Sequence, residues 1–223
     1  MKIEIKGAII PNESKVAYDY LGLDSTCPKD VLKKLSRANG QDVTIEINSG
    51  GGDIFAGSEI YTALRNYKGN VNINIVGLAA SAASVIAMAG NCKISPTGLF
   101  MIHNVSCCVS GDYKVLEKEV EVLKKCNQVI ANAYMEKTGI SNEKLLELMD
   151  KETWLTPKDC IESGFVDEIM FQDEPKKIQF RNDFTMLSIE TEEKIKNEIA
   201  MKNKISIEKE KLNLLKLGGV KNV

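Results

Sequence analysis

Residues 79–90, AASAASVIAMAG, contain no charged side chain and little beyond small or branched apolar groups. Such a stretch has to be surrounded. It falls well short of the roughly 20 apolar residues that span a bilayer, so it reads as a core helix that the rest of the chain must wrap. The flanks say what does the wrapping. Asp42–Ile47 (DVTIEI) and Asn70–Val76 (NVNINIV) alternate apolar and polar residues as strands do, and Ile54–Tyr67 between them has helical spacing. Lys2–Ile10 reads as a further strand, and Val16–Leu23 and Thr26–Ala38 as helical stretches with Pro28 near a helix start. Lys93–Ile94 and Leu99–His103 read as short strands. Strand–helix–strand order of this kind predicts an α/β layered domain with a largely parallel sheet.

Tyr113–Lys137 is a long charged helix, with Val115, Leu116, Val120, Leu123, Val129 and Ile130 among its apolar positions. It is either an ordinary surface helix or an element that projects and docks a neighbouring subunit. Ser141–Met149 reads as a short helix, and Trp154–Ile169 closes the globular part. After Phe171 the composition shifts. Asp173–Phe184 is polar and turn-rich, and Glu190–Leu217 is dense in Lys and Glu with sparse Ile and Leu, the pattern of a solvated or partner-dependent helix. The expected division is a globular domain over 1–171 and a charged, partly helical or disordered extension over 172–223.

Composition narrows the chemistry. The chain has a single histidine, His103, which rules out metal sites built from several imidazoles. Its six cysteines form no C-x-x-C pair, so thiolate zinc, iron–sulfur and thioredoxin-like sites lose their signature. A formal net charge of −2 gives no electrostatic footprint for nucleic acid. The start, MKIEIKGAIIPNES, lacks the apolar run of a signal peptide, and no run is long enough to cross a membrane. Unpatterned cysteines without an export signal fit a reducing cytoplasm.

Two glycine- or alanine-rich sites follow the two alternating strands. In the first, Asn48-Ser49-Gly50-Gly51-Gly52-Asp53, backbone N–H groups can approach a ligand closely. There is no Lys-Ser/Thr after it and no G-x-G-x-x-G spacing, so it is a tight turn or an oxyanion-binding loop rather than a phosphate cradle. The second is Gly77-Leu78-Ala79-Ala80-Ser81-Ala82-Ala83-Ser84. Ser81 at a strand-to-helix junction is either a helix N-cap or a nucleophile whose hydroxyl faces free N–H groups. Ser84, one turn on, reads as a packing or backbone-bonding residue. A nucleophilic serine needs a base, and only His103, in Phe100-Met101-Ile102-His103-Asn104, can be one. Asp150, Glu152 and Asp53 are the carboxylates that could orient its ring, or they are surface charges.

Four segments occur in the order found in the ClpP family of serine peptidases, and the chain resembles that family over roughly residues 1–170. They are INSGGGDIFAGSEIY (Ile47–Tyr61), GLAASAASVIAMAG (Gly77–Gly90), FMIHN (Phe100–Asn104) and ETWLTPKDCIESGFVDEI (Glu152–Ile169). The resemblance implies Ser81 as nucleophile, His103 as general base and then acid, and the N–H groups of Gly52 and Ala82 as the oxyanion hole. It places Glu152 where the family usually has aspartate, with Asp150 in reserve as the orienting carboxylate. It further implies stacked βαβ units, a fold shared with the crotonases, with Tyr113–Lys137 as the handle between two rings. Family members form heptameric rings around a chamber. An AAA+ unfoldase feeds them and consumes the ATP, so the peptidase itself needs no cofactor. The start close to the first core strand and the Lys/Glu tail after Phe171 resemble the ClpP-like peptidases of tailed phages and prophages, which process capsid and scaffold proteins. Two other classes stay open on sequence: a crotonase-type acyl-CoA enzyme, and an inactive assembly subunit, which Glu152 in place of Asp would favour. Since no other histidine can substitute, His103→Ala is expected to abolish hydrolysis of a model peptide.

Overall fold

The computed structural model describes residues 1–172 and 189–218, and the chain divides after Gln172 into two units. The first unit is built on an eight-stranded sheet. Strand β1 (Lys2–Ile9) leads through a short 3-10 turn into α1 (Lys15–Tyr20), then β2 (Ser25–Thr26) and α2 (Pro28–Ala38). Strand β3 (Val43–Gly52), helix α3 (Ile54–Arg65), strand β4 (Val71–Ala80) and helix α4 (Ala82–Ala87) follow. Next come β5 (Asn91–Ile94), β6 (Leu99–Ile102), the long α5 (Tyr113–Thr138), α6 (Asn142–Asp150), β7 (Thr153–Leu155), α7 (Pro157–Glu162) and β8 (Glu168–Ile169). The main path runs β2-β1-β3-β4-β5-β8, parallel throughout, and β6 pairs parallel with β4 and antiparallel with β7. A largely parallel α/β sheet is therefore what the chain forms.

The alternation in β1, β3 and β4 explains the core. Ile3, Ile5, Ile45, Ile47, Ile73 and Ile75 are all fully buried, in register across three adjacent strands. The apolar segment then packs against them: every residue of α4 is buried.

Three expectations need correction. The glycine run is not a loop after β3 but its last third, because Ala8 and Ile9 of β1 pair with Gly51 and Gly52. The strand expected over Asn70–Val76 likewise does not stop there; β4 continues to Ala80, and the register jumps between Ile47↔Ile75 and Ser49↔Ala79. The helix expected over Ala79–Gly90 is confined to α4, since Ala79 and Ala80 still belong to the strand and pair with Phe100 and Met101. Three paired segments went unanticipated: β2, whose Thr26 falls at the start of the expected second helix, β7, whose Trp154 lies opposite Met101, and β8, which pairs with β5.

Helix α5 is rooted at one end only. Its buried residues are Ala131, Ala133 and Tyr134, all in the last third. Near its end, Lys137 donates to the Gly90 carbonyl (3.2 Å) and to Asp167 Oδ2 (2.6 Å), and the same Oδ2 accepts the Cys92 N–H (2.7 Å). The Tyr134 ring meets Phe165 edge-on at 5.8 Å, and Phe165 packs on Phe100. Farther from the root, Val115, Leu116, Val120 and Val122 are exposed.

In the second unit, α8 (Ile189–Gly218) covers the Glu190–Leu217 stretch read as helical, with Ile195, Ile199, Met201, Ile205 and Ile207 exposed. The stretch Asp173–Phe184 lies outside the described residues. No helix among the described residues is long and apolar enough to cross a membrane.

The isoleucine layer makes a stability prediction. Ile45→Ala, at a site with no exposed surface, should lower the unfolding free energy by about 3 kcal/mol in a denaturant titration.

Candidate active site

Ser81 and His103 meet because their strands run side by side. Ala80 ends β4 opposite Met101 of β6, so each chain leaves the sheet at the same level. Ser81 Oγ lies 2.8 Å from His103 Nε2, a hydrogen bond in which the nucleophile's proton can pass to the ring. Both side chains are half-buried, accessible yet held.

The turn at Ser81 is strained. Its φ of 55° and ψ of −126° lie in a region L residues adopt only when the surroundings impose it. The Ser81 N–H donates to the Met101 carbonyl (3.1 Å), and its own carbonyl accepts from the N–H groups of Ser84 (3.0 Å) and Val85 (3.3 Å). Ser81 is thus no side-chain cap; its hydroxyl is turned to His103 instead.

Gly51 comes up against this turn from the neighbouring strand. A Cβ on Gly51 would stand 2.6 Å from Ser81 Cβ and 3.0 Å from Ala82 N, at a φ of 95°. Its N–H is occupied by Ser49 Oγ (3.1 Å), whose own proton goes to the Gly7 carbonyl (2.6 Å). Gly52, at φ 148°, leans on β1, where a Cβ would meet the Ile9 carbonyl at 2.1 Å. Gly52 is exposed while Gly51 is buried. The family resemblance drew attention to Gly52, and the residue pressed on the nucleophile is its neighbour; a run of three glycines gives no sign of which one faces what.

The three carboxylates differ in placement. Asp53 Oδ1 caps α3 by accepting the Ala56 N–H (2.7 Å), so its role is local. Asp150 Oδ1 accepts from Asn104 Nδ2 (2.7 Å), and Asn104 Oδ1 in turn accepts from Asn127 of α5 (2.9 Å). Glu152 is exposed at a φ of 48°, and its Oε1 accepts the indole N–H of Trp154 (3.2 Å). Among the described residues, no carboxylate accepts a hydrogen bond from His103. The structure therefore brings Ser81 and His103 together and sets Glu152 and Asp150 on other partners. Ser84 is buried, bonded to the Ser81 carbonyl and to Tyr134.

A cavity of about 220 Å³ opens beside the turn, lined by Ala82, Val85, Ile54, Val129 and Ile130, with Tyr61 and Glu136 at its polar end. The thiols offer no rival nucleophile in the core. Burial pushes Cys92 far up and Cys160 up to about 12, so both stay protonated. Among the described residues, no three His, Cys, Asp or Glu side chains converge as metal ligands would.

A serine hydroxyl against an imidazole, on a strained strand-to-helix turn walled by glycine backbone, is the arrangement used by serine hydrolases. The family model described as Clp protease matches residues 24–173. The chain belongs to the Clp protease family. It is 30% identical over 135 residues to the ATP-dependent Clp protease proteolytic subunit of Deinococcus radiodurans, covering 59% of this chain and 66% of that protein, just under two thirds of its length. It is likewise 30% identical over 151 residues to proteolytic subunit 1 of Chlamydia abortus, covering 64% and 79% respectively. A ClpP1 point mutant from Listeria monocytogenes has a similar structure, with a TM-score of 0.62 and 27% identity over 76% of this chain and 90% of that one.

The Gly51–Ser81 contact is testable. Gly51→Ala is expected to slow fluorophosphonate labelling of Ser81 by about a hundredfold, the scale on which a 1 Å misplacement acts. Labelling at the unsubstituted rate in a folded variant would show that the approach is not needed.

Proposed function

We propose that the protein is a serine endopeptidase acting through an acyl-enzyme inside an oligomeric chamber. The 2.8 Å contact between Ser81 Oγ and His103 Nε2 carries this reading. Ser81 attacks the peptide carbonyl as His103 takes its proton. The oxyanion is held by the N–H groups of Gly52 and Ala82, and His103 returns the proton to the leaving amine. Water, deprotonated by the same ring, then releases the acyl group. The cavity beside Ala82 takes the side chain preceding the cleaved bond. Its aliphatic walls favour an apolar residue there.

Glu152 is assigned the orienting role. Its carboxylate now accepts from the Trp154 indole, and exchanging that bond for the imidazole N–H completes a triad; Asp150, engaged by Asn104, is the reserve. The apolar residues that α5 leaves exposed, Val115, Leu116, Val120 and Val122 among them, support its use as the handle joining two rings. Enclosure lets such a peptidase work in cytoplasm, with an AAA+ unfoldase delivering substrate. The Lys/Glu-rich α8 supports the finer reading, a phage or prophage peptidase that processes capsid or scaffold protein.

Ser81→Ala should abolish both peptide cleavage and fluorophosphonate labelling. Absence of labelling in the assembled unsubstituted protein would leave an assembly subunit, and saturable acyl-CoA binding would mark a crotonase-type enzyme. Glu152→Gln should depress kcat with assembly intact, whereas an unchanged kcat would pass the role to Asp150 or to an unaided pair. Truncation after Phe171 should spare cleavage of short peptides and alter assembly or partner choice; a soluble truncation without peptidase activity would count against that role for the tail.

A further inference from the structure

Ser84 and Tyr134 are polar groups sealed in the apolar core, at 0% and 1% exposure. Their hydroxyls are satisfied by one another and by the turn at Ser81: Tyr134 OH lies 2.8 Å from Ser84 Oγ, and Ser84 Oγ lies 2.6 Å from the Ser81 carbonyl. The direction of this chain is fixed by elementary bonding rules. A carbonyl can only accept, so the one proton of Ser84 goes to Ser81, and Tyr134 must be the donor to Ser84. Burial pushes the Tyr134 phenol well above its ordinary range, so the donor keeps its proton.

The Ser81 carbonyl shares a planar peptide unit with the Ala82 N–H. Turning one turns the other. Pinning that carbonyl therefore aims the N–H assigned to the oxyanion and holds Ser81 at its ψ of −126°. The carbonyl already accepts two helical N–H groups, and the Ser84 hydroxyl contact is the shortest of the three.

We infer that the Tyr134–Ser84 hydroxyl relay is a positioning device for the active site, running from the root of α5 to the peptide unit that carries the Ala82 N–H. This rests on the peptidase reading. It sets Ser84 and Tyr134 apart from core packing: neither touches substrate, and both act through Ser81 and Ala82.

The full-length protein tests it with Ser84→Ala, Tyr134→Phe and the double variant. Three quantities are read: kcat and KM on a short peptide, the rate of fluorophosphonate labelling at Ser81, and the thermal midpoint. Ser84→Ala should lower kcat and the labelling rate by about tenfold with KM unchanged, the scale of one hydrogen bond. Tyr134→Phe should lower them by a smaller factor. Ser84→Ala alone orphans the Tyr134 hydroxyl, so its midpoint should drop and then recover in the double variant. The kcat of the double variant should stay at the Ser84→Ala value. Recovery of kcat together with the midpoint would reduce the pair to packing and overturn the inference, as would single variants with unsubstituted kcat. Absence of Ser81 labelling in the unsubstituted protein would instead sink the peptidase reading and the inference with it.

Discussion

Everything at the site depends on a mismatch in the central sheet. Strands β1, β3 and β4 run in strict register through the isoleucine layer, and then β4 takes four residues (Ile75 to Ala79) to cover what β3 covers in two (Ile47 to Ser49). That excess lets β4 leave β5 and take β6 as its neighbour. A strand that changes partner delivers its end to a new place. Here it sets Ser81 beside the end of β6, where His103 begins. The break is itself held: Asn48 Oδ1 accepts the Leu78 N–H at 3.1 Å, in space left by Gly77.

The strain at Ser81 is tolerable because it is over-determined. Its N–H is tied to β6, its carbonyl to α4, and its side chain is confined by Gly51. All six residues of α4 are buried among aliphatic groups, so the helix cannot shift to relieve the turn. The energy held there comes from a core laid down by residues remote from the chemistry, Ile45 and Ile73 among them.

The alternation of DVTIEI and NVNINIV, the apolar segment and the single histidine were enough to read the layered α/β fold and to pair Ser81 with His103. What escaped were features that depend on pairing rather than pattern. Glycines 50–52 look like a loop by composition, yet β1 beside them supplies the ladder that makes them strand. Ser25–Thr26 is too short for any period to register, and only β1 makes it a strand. Gly51 could not be told from Gly52, because a missing Cβ acquires meaning only when a neighbour fills its place. Tyr134 stands 53 positions after Ser81 in a separate helix, and no local rule joins a tyrosine to a serine across that distance. The carboxylates show the converse. The family resemblance pointed to Glu152, and the side chain rests on the indole of Trp154, two residues away.

Mechanically, α5 is a cantilever. One end is clamped by the Lys137–Asp167 pair and the Phe165–Tyr134 contact, and the opening turns, Tyr113 to Glu121, bury no residue. A beam clamped in this way concentrates bending moment at its fixed end, however gently its tip is pushed. The tip can therefore change sequence with little penalty to the fold, while a single methyl group at the clamp is felt throughout the core.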